Sequence, residues 1–118
     1  NAKISTTDGK LPIEVHGSNL VNTKIEIDVP SAQIKSGIIL AALNTNGLTE
    51  IIEKSVTRDH TEIMLDSFGA NIEIKKNRNQ KLIRIIGKKE LISKDIDVPS
   101  DLSSSAFFII AAVADLHC

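Results

Sequence analysis

The stretch VPSAQIKSGIILAAL, Val29 to Leu43, and the stretch TRDHTEIMLDSF, Thr57 to Phe68, decide how this chain folds. In the first, Pro30 breaks an alternating run, and Ser31 stands where an Ala- and Ile-rich helical pattern begins. Ser31 and Gln33 therefore sit beside backbone N–H groups that lack intrahelical partners and beside the positive end of the helix dipole. Such a mouth favours phosphate or carboxylate. In the second stretch Asp59 is placed to cap a helix, with Glu62 three residues on completing a capping box, and Arg58 stands just ahead of both. A hydroxyl, an amide and a guanidinium are thus set at the mouths of two successive helices, a layout suited to an anionic ligand.

Periodicity extends the reading to both sides. Leu11 to His16 and Thr23 to Asp28 alternate apolar and polar residues and read as strands. Ser31 to about Asn44 reads as a helix with Ile34, Ile38, Ala41 and Ala42 on one face. Ile39, Leu40 and Leu43 make its other faces apolar as well, which predicts a helix buried almost all round. Asn46-Gly47 stops it. Leu48 to Lys54 reads as a strand, and Asp59 to Phe68 as an amphipathic helix with Met64, Leu65 and Phe68 inward and Gly69 as its C-cap. Ala70 to Lys75 and Lys81 to Ile86 form a hairpin whose polar loop, Lys76 to Gln80, is expected to be solvated and mobile. The β-α-β-α-β-β order predicts helices packed on a sheet, α/β or α+β by class.

An internal repeat is visible. Ile27-Asp28-Val29-Pro30-Ser31 recurs as Ile96-Asp97-Val98-Pro99-Ser100, and each copy leads into an Ala- and Ile-rich helical run. A strand precedes each copy, KLPIEVHG ending at Gly17 and KLIRIIG ending at Gly87. Repetition of this kind means supersecondary units that pack on neighbours rather than standing alone. Residues 1–99 read as one complete unit and residues 100–118 as the start of the next, whose helix is expected to lack its natural partner. The chain opens on Asn1 rather than Met and stops on Cys118 directly after a helical pattern, which reads as an excised piece of a longer protein.

Composition excludes several classes. The 118 residues are enough for one modest core or for part of a larger domain. Lys and Arg number 14 against 15 Asp and Glu, so no basic stripe points to nucleic acid and no acidic tract to disorder. The single Cys118 forms no intramolecular disulfide and has no Cys partner for a metal cluster, which fits a reducing, cytoplasmic setting. His16, His60 and His117 are scattered and signal no metal site. The longest apolar stretch, Ala106 to Ala114, is far shorter than a membrane span of about 20 residues and lies where no signal peptide belongs.

Ser31-Ala32-Gln33 with Lys35-Ser36 is similar to the S-[AS]-Q-x-K-S helix start of the EPSP synthase family, and Thr57-Arg58-Asp59-His60-Thr61-Glu62 with Met64-Leu65 resembles its T-R-D-H-T-E-x-M-L signature. These enzymes of the shikimate pathway transfer the enolpyruvyl group of phosphoenolpyruvate to shikimate 3-phosphate. The related enolpyruvyl transferase acting on UDP-N-acetylglucosamine typically reads R-E-P-E at the second segment, so Arg58-Asp59-His60-Thr61 favours the shikimate branch. The resemblance implies two globular domains, each of three β-α-β-α-β-β units with helices on a mixed sheet, and an active site in the cleft between them. Residues 1–99 would then belong to one domain, and residues 100–118 would cross toward the other. Ser103-Ser104-Ser105 after Asp101 resembles the family's P-G-D-x-S-S segment, with Ser100 in place of the usual Gly, and reads as a helix start.

The resemblance also implies site roles. Ser31, Ala32, Gln33 and Arg58 would hold shikimate 3-phosphate, and Gln33 would also reach phosphoenolpyruvate. The 5-hydroxyl of shikimate 3-phosphate would attack C2 of phosphoenolpyruvate, a tetrahedral intermediate would form and phosphate would leave, without metal or organic cofactor. The family's Lys-Ser-x-x-x-Arg segment and the acid–base residues of its other domain have no counterparts here. No catalytic residue is therefore assigned within this chain, which alone is expected not to turn over, and its partners are the two substrates and the rest of the parent protein.

Each residue also has a plainer role. Ser31 is first of all a helix N-cap. Gln33 is a neutral amide, able to bond two anions without repelling either. Arg58 is either a surface arginine paired with Asp59 or Glu62, worth little when exposed, or a cation set against the helix dipole because an anion joins it there. His60 tempts as an acid or base but reads as a support for the helix start. Lys35 is expected on the solvent- or domain-facing side of its helix. The alternative to an enzyme segment is a noncatalytic binding or scaffold module in which Ser31, Gln33 and Arg58 merely stabilise helix ends.

Overall fold

The structure, a computed structural model, describes residues 3–78 and 80–115, so Asn79 of the hairpin loop, His117 and Cys118 lie outside the described residues. Its elements run β1 (Lys3–Thr7), β2 (Lys10–His16), β3 (Lys24–Ile27), α1 (Ala32–Ala42), β4 (Leu48–Glu53), α2 (His60–Ser67), β5 (Asn71–Lys76), β6 (Lys81–Ile86) and α3 (Leu102–Asp115). From β3 to β6 the order is β-α-β-α-β-β, and these strands make one mixed sheet in the order β3-β4-β6-β5. β3 pairs parallel to β4 across α1, while β6 is antiparallel to β4 and β5. The separate antiparallel hairpin β1–β2 stays exposed on both faces, with Leu11, Ile13 and Val15 uncovered.

Strand alternation divides the sheet into two chemically different faces. On the outer face Glu50, Arg84 and Glu73 are cross-strand neighbours, and the Arg84 guanidinium donates to Glu50 at 2.9 Å and lies 3.6 Å from Glu73. Glu50 beside it raises the Arg84 pKa above its ordinary value. The inner face carries Thr49, Ile51 and Glu53 of β4 opposite Ile85, Ile83 and Lys81 of β6. Ile51, Ile83 and Ile85 form the core with Ile27, Ile39, Ala42, Leu65 and Ala70, each large aliphatic side chain contributing about 1.5–3 kcal/mol by leaving water. At the Glu53–Lys81 end the same face turns ionic.

The helices bury stripes rather than whole surfaces. α1 buries Lys35, Ile39 and Ala42, spaced to lie on one side, whereas Leu40 is 51% exposed and Ile34 48% exposed. The expected all-round burial is therefore corrected: a four-stranded sheet covers one face of α1, and among the described residues nothing covers the opposite one. Lys35 points into the sheet, not toward solvent as expected, because it lies one turn before Ile39 on the covered stripe. In α2 the inward residues are Glu62 and Leu65, with Phe68 half-buried and Met64 turned outward, so Glu62 takes the place expected of Met64. α2 ends as the sequence predicts. Gly69 has φ +77°, its N–H donates to Asp66 O, and the Ala70 N–H reaches Leu65 O at 2.9 Å, a closed Schellman turn.

The two repeat copies differ in structure. Ile27 is buried at the end of a strand that exists because β4 lies beside it. Its counterpart Ile96 belongs to no strand and is exposed, and among the described residues no β4-like strand lies beside it. The helix that follows, α3, has no buried residue, and Phe107 and Phe108 are exposed. Its start is well made. Asp101 accepts from the Ser103 N–H at 2.9 Å and from the Ser104 hydroxyl at 2.7 Å, and the Ser104 hydroxyl above all holds the Asp101 carboxyl below its ordinary pKa. With its folded-state pKa depressed, the Asp101 cap contributes above the unfolded-state value and is lost as pH falls through the folded one. Among the described residues no helix is long and apolar enough to cross a membrane.

Gly87 closes the unit. A Cβ there would lie 2.3 Å from Thr45 O and 2.4 Å from Ala42 O, because the chain leaving β6 passes against the last carbonyls of α1, where the Lys88 N–H caps Leu43 O at 2.8 Å. Gly37, in mid-α1, would meet nothing within 4 Å. Gly87→Ala should therefore lower stability by about 1–3 kcal/mol or more, whereas Gly37→Ala should raise it by about 0.5–1 kcal/mol. Urea unfolding of the two variants checks this, and equal shifts would contradict the close approach.

Candidate functional site

Ser31 has extended backbone, φ −130° and ψ 114°, and its Oγ accepts the Ile34 N–H at 3.3 Å, capping α1. The same hydroxyl donates to Gln33 Oε1 at 3.3 Å, which leaves the Gln33 amide nitrogen as the free donor of the pair. No acidic residue occupies the first turn of α1, so the positive end of the helix has no carboxylate of its own. Across from it the Ser36 and Thr61 hydroxyls bond each other at 2.7 Å, tying α1 to α2. Between the two helices lies an open cleft of about 240 Å³ lined by Ala32, Gln33, Ser36, Arg58, His60 and Thr61.

Three of the four expected binding residues, Ala32, Gln33 and Arg58, thus line one cleft, and Ser31 stands behind Gln33. Arg58 is exposed and makes no ion pair among the described residues, so the surface pairing with Asp59 or Glu62 does not occur. His60 is the first residue of α2, as expected of a residue at the helix start. The capping box is absent. Asp59 holds the N-cap position without a side-chain hydrogen bond and instead lies 4.0 Å from Lys81 Nζ, while Glu62 is drawn inward. Among the described residues no group of three or more His, Cys, Asp or Glu side chains is arranged to hold a metal ion.

Beneath the cleft is a buried ionic cluster that sequence reasoning missed. Lys35, 0% exposed, places Nζ 2.9 Å from Glu62 Oε1, 3.3 Å from Glu53 Oε1 and 2.7 Å from the Arg58 carbonyl oxygen to which it donates. Lys81 Nζ donates to the same Glu62 oxygen at 2.8 Å, while Glu62 Oε2 is buried with no donor in reach among the described residues. Glu53 Oε1 accepts the Thr57 N–H at 2.8 Å and the Thr57 hydroxyl. A signal for part of this was present: Glu53 is in phase with Ile51, and Lys81 with Ile83 and Ile85, so each charge continues an inward apolar row. Nothing local marks Lys35.

Fold and cleft together define a class, a helix-on-sheet unit with an open cleft between two helix starts, lined by Gln33 and Arg58. The family model described as EPSP synthase (3-phosphoshikimate 1-carboxyvinyltransferase) matches residues 1–116. The 3-phosphoshikimate 1-carboxyvinyltransferase of Bartonella tribocorum is 43% identical over 114 residues, covering 94% of this chain and 26% of the relative. That of Acidiphilium cryptum is 46% identical over 106 residues, covering 89% and 24%. A solved EPSP synthase from Acinetobacter baumannii superposes with a TM-score of 0.69 at 41% identity, over 92% of this chain and 24% of that one. The chain belongs to the EPSP synthase family. It spans about a quarter of the length of these relatives.

Arg58, without an ion-pair partner among the described residues, and the paired Lys35 should respond differently to substitution. Arg58→Ala should change stability by no more than about 0.5 kcal/mol. Lys35→Met leaves Glu53 and Glu62 in the interior short of a cation and should cost about 3–5 kcal/mol. Chemical denaturation distinguishes them; a large loss from Arg58→Ala would mean that the guanidinium has a structural partner.

Proposed function

We propose that this chain is the part of a 3-phosphoshikimate 1-carboxyvinyltransferase that holds its substrates. The enzyme would transfer the enolpyruvyl group of phosphoenolpyruvate to the 5-hydroxyl of shikimate 3-phosphate, giving EPSP and phosphate in the shikimate pathway. Residues 1–99 would supply one repeat unit of a domain and residues 100–118 the start of the next, with the acid–base groups elsewhere in the protein. The proposed setting is the cytoplasm, and the proposed partners are the two substrates and the remaining units.

One observation carries this reading: Gln33 and Arg58 line the same cleft at a helix mouth without carboxylates, and the Arg58 guanidinium has no ion-pair partner among the described residues. Two anions that repel each other need preorganised donors to be held together, and such donors lower the barrier for their reaction. The Gln33 amide, oriented by the Ser31 hydroxyl, is suited to contact both. Arg58 supplies charge complementary to the phosphate or carboxylate of shikimate 3-phosphate. The relatives, both 3-phosphoshikimate 1-carboxyvinyltransferases, favour the shikimate branch over transfer to UDP-N-acetylglucosamine.

Substitutions in the full-length protein test the assignment. Gln33→Ala should weaken both substrates, whereas Ser31→Ala and Arg58→Ala should mainly weaken shikimate 3-phosphate. A charge-assisted hydrogen bond is worth roughly 1.5–3 kcal/mol, or about one to two decades in affinity. Ser31→Ala also removes a cap worth about 1 kcal/mol, so unfolding is measured alongside. Folded variants that bind both substrates like the wild type would reject the ligand roles of Ser31, Gln33 and Arg58.

A further inference from the structure

We infer that the buried Lys35–Glu53 pair is a positioning device for Arg58, setting where the exposed guanidinium stands relative to the mouth of α1; this rests on the substrate-holding role proposed above. Lys35 and Glu53 do not line the cleft. They act on the backbone that carries Arg58. Glu53 takes the N–H and hydroxyl of Thr57, and Lys35 donates to the Arg58 carbonyl at 2.7 Å, so the two anchors bracket the Arg58 Cα. A segment with no secondary structure of its own, between the end of β4 at Glu53 and the start of α2 at His60, is thereby fixed on both sides of one residue. The side chain remains exposed while its root is held.

The origin of the anchors matters as much as their number. Lys35 stands two residues after Gln33 on α1, so the ammonium that pins Arg58 is carried by the helix whose mouth holds Gln33. Gln33 and Arg58, from elements separated by a strand, are referred to one common point. Lys81 from β6 and Glu62 from α2 complete the cluster at two cations and two anions. Buried ion groups of this kind are commonly replaceable by apolar side chains without loss of stability. An apolar replacement would fill the space but could not donate to the Arg58 carbonyl or accept the Thr57 N–H. Orientation of this segment is what the charged version adds.

The test uses the full-length protein and the dissociation constant of shikimate 3-phosphate, measured by calorimetry. Lys35→Met combined with Glu53→Gln removes one charge of each sign, leaves Lys81 paired with Glu62, and keeps an amide oxygen for Thr57. This double variant should raise the dissociation constant about ten-fold, and the loss should vanish, to within about two-fold, when Arg58→Ala is already present. A merely structural role would give the same loss in both backgrounds. That result, or a folded double variant binding like the wild type while Arg58→Ala binds weakly, overturns the positioning role and leaves the substrate-holding reading intact. Wild-type binding by Arg58→Ala would reject both. Should the double variant not fold, Thr57→Val, which removes only the hydroxyl anchor, should raise the constant about three-fold, with the same dependence on Arg58; no change overturns the inference.

Discussion

The Lys35 ammonium, buried between two carboxylates and a backbone carbonyl, is the constraint around which the unit is arranged. An ion taken out of water costs several kcal/mol even after relaxation, so Lys35 is tolerable only where β4 and α2 deliver Glu53 and Glu62 to it. That requirement fixes the start of α1 at the Glu53–Lys81 end of the inner face, and Lys81 of β6 extends it by bonding Glu62. The apolar half of the same inner face, from Ile51 and Ile83 to Ile85, provides the driving force for collapse. The ionic half provides direction, because charged hydrogen bonds fail with small displacements where apolar contacts merely slide.

The cleft follows from this arrangement. α1 presents a mouth with a serine cap, a free glutamine amide and no acidic side chain, and the β4–α2 connection presents an exposed arginine beside it. Placing a cation near a helix N-terminus is locally unfavourable. Its root is nevertheless held in place by the cluster below, while its head finds no ion-pair partner among the described residues. In the substrate-holding role proposed above, an incoming anion is the group that would reconcile those two facts.

Much of the fold was legible in the sequence because it is local. Pro30 and Ser31 mark the start of α1, Gly69 the end of α2, and alternation marks β4 and the β5–β6 hairpin. Ser31, Gln33 and Arg58 were marked by their places at two helix starts, and their proposed roles came from two short strings that resemble a family. What was missed depends on contacts between distant parts of the chain. Lys35 read as a solvent-side charge since nothing near it in sequence is acidic; its partners Glu53 and Glu62 arrive through the pairing of β4 and the docking of α2. The Asp59–Glu62 capping box failed for the same reason, since a buried pairing with two lysines outweighs a surface bond to one backbone N–H. The all-round burial of α1 failed because hydrophobicity marks what can be covered, not what covers it.

A crystal structure of the full-length protein with shikimate 3-phosphate bound would bear most strongly on this picture. The Arg58 guanidinium and the Gln33 amide should both lie within about 3 Å of the ligand's oxygens, with Lys35 still bonded to the Arg58 carbonyl. A ligand held elsewhere, or an Arg58 turned away from it onto a protein carboxylate, would contradict it.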